Sequence, residues 1–284
     1  MNSAAKQFRD FVRLDFVGLR RGKGLILGLG AFFDDAGTHD SANVVSWGGL
    51  IGTVDQWCDL TDAWFRRLDD PFPGGLPPHD RLSKFHLYDC VKGIGEFAEY
   101  TEPERSNLQY EFRKIISDSG LIGICFSIDR KAYARVVPDA AKEVVGDAEA
   151  VCFQACFAGA FELARKHFPE EIAMALYFDR ITNPKRRAAL DAVVEQQRHQ
   201  KFGTVPLINH VTFGEMVKYP PLQAADLIAT EQCWFTQKLL GYPSPDRDGH
   251  FKSYQKLVQV TGRMMDEERI RQTVMAYGFE PKSS

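Results

Sequence analysis

The chain has 284 residues, 44% apolar and 26% charged, which excludes disorder as the dominant state and leaves room for one large domain or two small ones. The 35 Lys+Arg and 38 Asp+Glu give a net charge of −3, which excludes a broadly basic nucleic-acid coat but not local basic patches. No apolar run approaches the roughly 20 residues of a membrane-spanning helix, so no membrane partner is expected. Lys6, Arg9, Asp10, Arg13 and Asp15 interrupt the start as no secretory signal would, and the expected address is cytoplasmic.

Residues 1–24 read as a basic arm, helical until Gly22 to Gly24 break it. Leu25 to Asp35 is apolar nearly throughout, the pattern of a central strand buried on both faces. After a turn at Gly37 to Ala42, Val44 to Gly52 predicts a second strand in an antiparallel hairpin. Trp57, Leu60, Trp64 and Leu68 share one stripe of a helix over 55–68. Asp70 to Pro78 is loop. A helix over 103–118 has Pro103 near its start and Leu108, Phe112, Ile115 and Ile116 on its apolar face. A strand follows at Leu121 to Ile128, then a loop through Pro138.

The remaining pattern is a helix at Ala148 to His167, a strand at Ile172 to Asp179, a helix at Lys185 to Gln200 and a strand at Leu207 to Phe213. A helix at Pro221 to Leu239 and a helical tail over 251–276 end it. If 53–120 is an insertion after the second strand, the order is strand, strand, strand, helix, strand, helix, strand, helix. That order is similar to a ribonuclease H-like α/β fold, a mixed five-strand sheet flanked by helices. The expected domains are the arm at 1–24, the sheet domain at 25–240 and a helical extension at 241–284.

Three acids stand where such a sheet would gather them. Asp34, with Asp35 beside it, ends the first strand, and Asp179 ends the strand IAMALYFD. Parallel pairing of those strands would bring both acids out at one edge. Asp226 lies in the second turn of the helix from Pro221, among Leu222, Ala224, Ala225, Leu227, Ile228 and Ala229, where a charge needs a reason. Gln223, on the same helical face, can support it. Converging carboxylates must take up protons or bind cations. Oxygen ligands favour Mg²⁺ or Mn²⁺, and two such ions ~3.5–4 Å apart suit phosphodiester hydrolysis. Asp35 is a further candidate catalytic residue in close support of the three, or simply the exposed member of its pair, because successive strand residues face opposite sides.

These residues resemble the domain-of-unknown-function 3800 family, regarded as ribonuclease H-like. Its opening Asp-Glu-Ser-Gly is held here by Asp34, Asp35, Ala36 and Gly37, and its glycine-bearing second strand by Trp47 to Gly52. The Phe-His segment is Phe85 and His86, the acidic strand end is Asp179 and Arg180, and the Gln-x-Ala-Asp helix start is PLQAADLIA with Gln223, Ala225 and Asp226, after Phe213. The likeness runs from about residue 27 to 240. It departs from the pattern at Asp35, where the family favours Glu, and at Ala36, where it favours Ser. It implies a metal-dependent nuclease hydrolysing RNA or DNA, with Asp34, Asp179 and Asp226 as ligands of two Mg²⁺ or Mn²⁺ ions. It also implies a context of phage defence or mobile elements.

His86 is open to three roles: proton shuttle, phosphate contact or further ligand. His39, His79, His199, His210 and His250 lack a ligand spacing. Arg180, Lys185, Arg186, Arg187, Arg198 and Lys201 form a basic run after Asp179 that can track a phosphate backbone or simply face solvent. Lys218 is a further candidate phosphate contact, with Arg20, Arg21 and Lys23 weaker candidates. The six cysteines (Cys58, Cys90, Cys125, Cys152, Cys156, Cys233) form no C-x-x-C and are expected to be buried packing residues. The stretch DDAGT lacks the second acid of Asp-based phosphatases, and neither a P-loop nor a GxSxG elbow occurs. The rival reading is a non-catalytic module that binds nucleic acid or a protein, with Trp57, Trp64 and Phe72 of the insertion as its contact surface.

Overall fold

The computed structural model describes residues 28–39, 41–71, 81–168, 173–198, 201–202, 205–206, 208–245 and 260–282. The basic arm, Phe72, His79, His199, His250 and the first part of the expected tail helix lie outside them, as do the side chains of Arg198 and Lys201.

The elements in chain order begin with β1 (Gly28–Ala36), β2 (Val44–Thr53), α1 (Val54–Asp69), α2 (Leu87–Lys92) and α3 (Glu102–Asp118). Then come β3 (Ile122–Asp129), α4 (Arg130–Val136), α5 (Asp139–Val145), α6 (Ala148–His167) and β4 (Ala173–Asp179). They are followed by α7 (Pro184–Arg198), β5 (Lys201–Phe202), β6 (Val205–Pro206) and β7 (Ile208–Gly214). The last three are α8 (Pro220–Leu239), β8 (Val260–Met265) and α9 (Glu267–Ala276).

Six strands make one mixed sheet in the order β7-β4-β1-β2-β3-β8. β1 pairs antiparallel with β2 and parallel with β4, as the strand-end acids require. β3 runs antiparallel to β2, β7 parallel to β4 and β8 parallel to β3. Helices cover both faces, so the fold is α/β. Among the described residues, no single helix is long and apolar enough to cross a membrane.

Local chemistry sets the helix limits. Thr53 and Gln56 form a capping box at the start of α1, and Thr101 and Glu104 form one for α3. Asp147 caps α6, whose last turn carries Arg165, Lys166 and His167 against the helix dipole. Pleat alternation then divides the core. Phe33, Trp47, Phe153 and Phe178 pack under α4, α5, α6, α7 and α9. Phe32, Tyr177, Trp57 and Trp64 pack under α1, α2, α3 and α8.

The structure corrects three expectations. The sheet has six strands rather than five, because residues 260–265 of the expected tail helix form β8 along β3. Val, Thr and Gly of VTGRMM weaken a helix there, and pairing with β3 orders the segment as a strand. The expected loop through Pro138 holds α4, capped by the Asp129 side chain, and α5 follows it. Trp57 and Trp64 are fully buried and cannot be a contact surface. Their indole N–H groups donate to Gly30 O at 3.0 Å and to Gln223 Oε1 at 2.8 Å. The six cysteines are free and buried, as expected.

α8 lies so close to β2 that Gly48 has no room for a side chain. A Cβ there would stand 2.6 Å from the Ala229 backbone nitrogen and 2.8 Å from its Cα. Backbone cannot move aside as a flexible side chain can. Gly48→Ala is therefore expected to destabilise the fold by about 1–3 kcal/mol, read as a lower urea midpoint. An unchanged midpoint would mean that α8 is not held this tightly.

Candidate active site

Pleat parity decides which acids meet. Asp34 shares a face with Phe32, and Asp179 with Tyr177, so both carboxylates lie on the α8 side of the sheet. They are the next residues beyond the paired Phe33 and Phe178. Asp226 comes down on them from α8. Asp34 and Asp226 are both buried, and Asp179 is largely so.

Their electrostatics record the convergence. Burial pushes the Asp34 carboxyl well above its ordinary value of 3.8, and the charges of Asp35, Asp226 and Asp179 push it further. The backbone N–H of Asp35, donating to Asp34 Oδ1 at 2.7 Å, opposes this. Burial also raises Asp179, against hydrogen bonds from the backbone N–H groups of Arg180 and Met216. Burial raises Asp226, against His86, the Leu87 N–H, the Thr230 hydroxyl and Lys84. The Leu87 amide donates to Asp226 Oδ2 at 3.0 Å and Thr230 Oγ1 to Oδ1 at 3.1 Å.

A linkage consequence can be measured. With its pKa raised by folding, Asp34 holds its proton more tightly in the folded chain. Stability is therefore lost as pH rises from about 4 through the raised value. At neutral pH without divalent cations, Asp34→Asn is expected to raise Tm by about 2–4 °C for each ~1 kcal/mol of repulsion relieved. The gain should shrink toward pH 4. Thermal melts of both proteins in a chelator across that range check it, and a loss of Tm at pH 7 would contradict the repulsion.

Asp35 goes the other way. It lies on the α6–α7 face, where Arg186 Nη2 approaches its Oδ1 at 2.5 Å and Thr38 Oγ1 donates to its Oδ2 at 2.9 Å. Arg186 also pairs with Glu149 and lies near the Trp47 ring. Gly37, at φ +71°, turns the chain just after this pair of acids, in a conformation other residues resist.

His86 sits between two acids. Its Nδ1 is 2.9 Å from Asp89 Oδ2, and its Nε2 is 3.8 Å from Asp226 Oδ1. Gln223 is a clamp. Its Oε1 accepts from Trp64 Nε1 and from the Phe85 amide at 2.7 Å, while its Nε2 donates to Met216 O at 2.8 Å. It thus ties α1, the segment before α2 and the β7–α8 turn to one point.

The basic run after Asp179 is mostly engaged within the protein. Arg186 faces Asp35 and Glu149, and Arg187 lies over the Phe213 ring and pairs with Asp191. Lys185 is exposed on the first turn of α7. Arg180 and Lys218 are both exposed, each 2.9 Å from a different oxygen of Glu215, so two cations share one anion.

Sequence reasoning did not assign Lys84, Asp89 or the Met216 amide. A signal for Lys84 is present in KFHL, which alternates polar and apolar as an extended, half-buried segment does. The donor set at the converging acids is carboxylate oxygen with one imidazole nearby, which suits a hard divalent cation. Among the described residues, no group of three or more His, Cys, Asp or Glu side chains stands as a ready-made cage. No protein-family model matches the chain, and no curated protein matches it in sequence.

Proposed function

We propose that the protein is a metal-dependent nuclease of ribonuclease H-like fold. The observation that carries this reading is the meeting of three aspartates from β1, β4 and α8, Asp34 and Asp226 buried and Asp179 half-buried, where the charges of Asp226 and Asp179 add to burial in raising the Asp34 carboxyl. Such a cluster is poised for cations, which would relieve the repulsion. The strand order supports the fold assignment. Central β1 has antiparallel β2 and then β3 on one side and parallel β4 and β7 on the other, with β8 an added edge.

Asp34, Asp179 and Asp226 would hold one or two Mg²⁺ or Mn²⁺ ions. Such ions, if held by these carboxylates, would supply a water of lowered pKa and stabilisation of the leaving oxygen. His86, with Asp89 beside its Nδ1, would hold or pass a proton at Nε2. Gln223 would keep the segment carrying His86 and the turn behind Asp179 in place. Arg180, Lys185 and Lys218 would face phosphates of RNA or DNA.

Calorimetric titration with Mn²⁺ at pH 7, beside cleavage of labelled RNA and DNA, tests the reading. Saturable binding and chelator-sensitive cleavage are expected. No binding and no cleavage would favour the second reading, a non-catalytic binding module, to which the lack of a ready-made cage among the described residues points.

A further inference from the structure

We propose that residues 84–88, with the β7–α8 turn beside them, cradle single-stranded nucleic acid, and that Tyr88 stacks on an unpaired base. The proposal deepens the nuclease reading and rests on it. Along Lys84, Phe85, His86, Leu87 and Tyr88, burial alternates. Phe85 and Leu87 are fully buried, Lys84 and His86 are half-buried, and Tyr88 is 45% exposed. The amides of the two buried residues are fixed, Phe85 by Gln223 and Leu87 by Asp226. The three outward side chains are therefore held in a row, Lys84 and His86 on the segment before α2 and Tyr88 in its first turn.

That row starts at the acids. The charge of Lys84 reaches Asp226, His86 Nε2 is 3.8 Å from it, and the Tyr88 ring centroid is 6.4 Å from that of His86. Lys92, one helical turn beyond Tyr88, lies 6.0 Å from the Tyr88 ring centroid and adds a cation beside an exposed aromatic face. The turn that supplies the Met216 amide to Asp179 is joined to the same segment through Gln223. It carries Val217, 51% exposed, and Lys218, with Arg180 at hand.

Cations for phosphates and an exposed ring for a base therefore flank carboxylates suited to metal. A duplex keeps its bases stacked inside and offers Tyr88 no base face. A single strand does, and stacking accepts any base.

Fluorescence anisotropy of the full chain, in a chelator, with a short labelled single strand and the matching duplex tests this. Binding of the strand at least about tenfold tighter than the duplex is expected, with Tyr88→Ala weakening it about tenfold and Tyr88→Phe retaining it. Unchanged melting of Tyr88→Ala separates the contact from a folding defect. Equal affinity for duplex, or unchanged strand affinity in Tyr88→Ala, overturns the proposal. Mn²⁺-dependent cleavage in that case leaves the nuclease reading standing. Tyr88-dependent strand binding without cleavage under any divalent cation supports the cradle and removes the nuclease.

Discussion

Asp226→Asn is expected to lower metal-dependent cleavage by about 10²–10³-fold or more while the chain stays folded, since a metal contribution of several kcal/mol is at stake. The substitution is close to isosteric. An Asn oxygen can still accept from the Leu87 amide, and its NH₂ can donate to Thr230 Oγ1, so both bonds that seat the side chain survive. The negative charge does not. Removing it takes away one of the three proposed ligands and also one source of repulsion on Asp34, so the folded state should not suffer. Initial rates with Mn²⁺ on any substrate the native protein cuts, together with a thermal melt, decide the matter. Full activity in the folded variant would remove Asp226 from the site.

The second large effect is on stability. Arg113 of α3 and Glu231 of α8 form an ion pair, each side chain about 1% exposed. Breaking such a pair from one side leaves a buried charge, so Arg113→Met is expected to cost about 3–5 kcal/mol. Tm should fall by on the order of 10 °C. The double variant Arg113→Met with Glu231→Leu should recover most of the loss, because the desolvation cost of both charges disappears. Urea unfolding of the single and double variants measures this. A single variant within about 1 kcal/mol of the native chain would show that the remaining charge finds water or a proton.

The strands that build the site were legible because they are unusually apolar. FFDD and IAMALYFD each end on an acid, and such a short apolar run fits a strand buried on both faces. Asp226 stood out as a charge within a helix that must be packed on all sides. β8 was not legible. Six residues with a Gly and an Arg carry little strand signal, and their order comes from the edge of β3. The short helices α4 and α5 lack the length over which periodicity can be read. Asp35 shows the limit most clearly. Parity says that it faces away from Asp34, but only the folded chain brings Arg186 to it and directs a basic residue inward rather than toward phosphate. Gln223 was legible as support for Asp226, but its partners Trp64 and Phe85 lie far off in sequence and left no trace near it.

The docking of α8 has a kinetic consequence. The β1–β2 hairpin that carries Asp34 is local, whereas Asp226 meets the Leu87 amide across 139 positions and Gln223 meets Trp64 across 159. Closures of that length are slow in coming, since much chain must first be ordered. In the absence of a cation this one is also opposed by charge. The acid cluster would therefore be among the last features to form and, when α8 lifts, among the first to be lost. A divalent ion would act at that closure, speeding the arrival of α8 and delaying its departure.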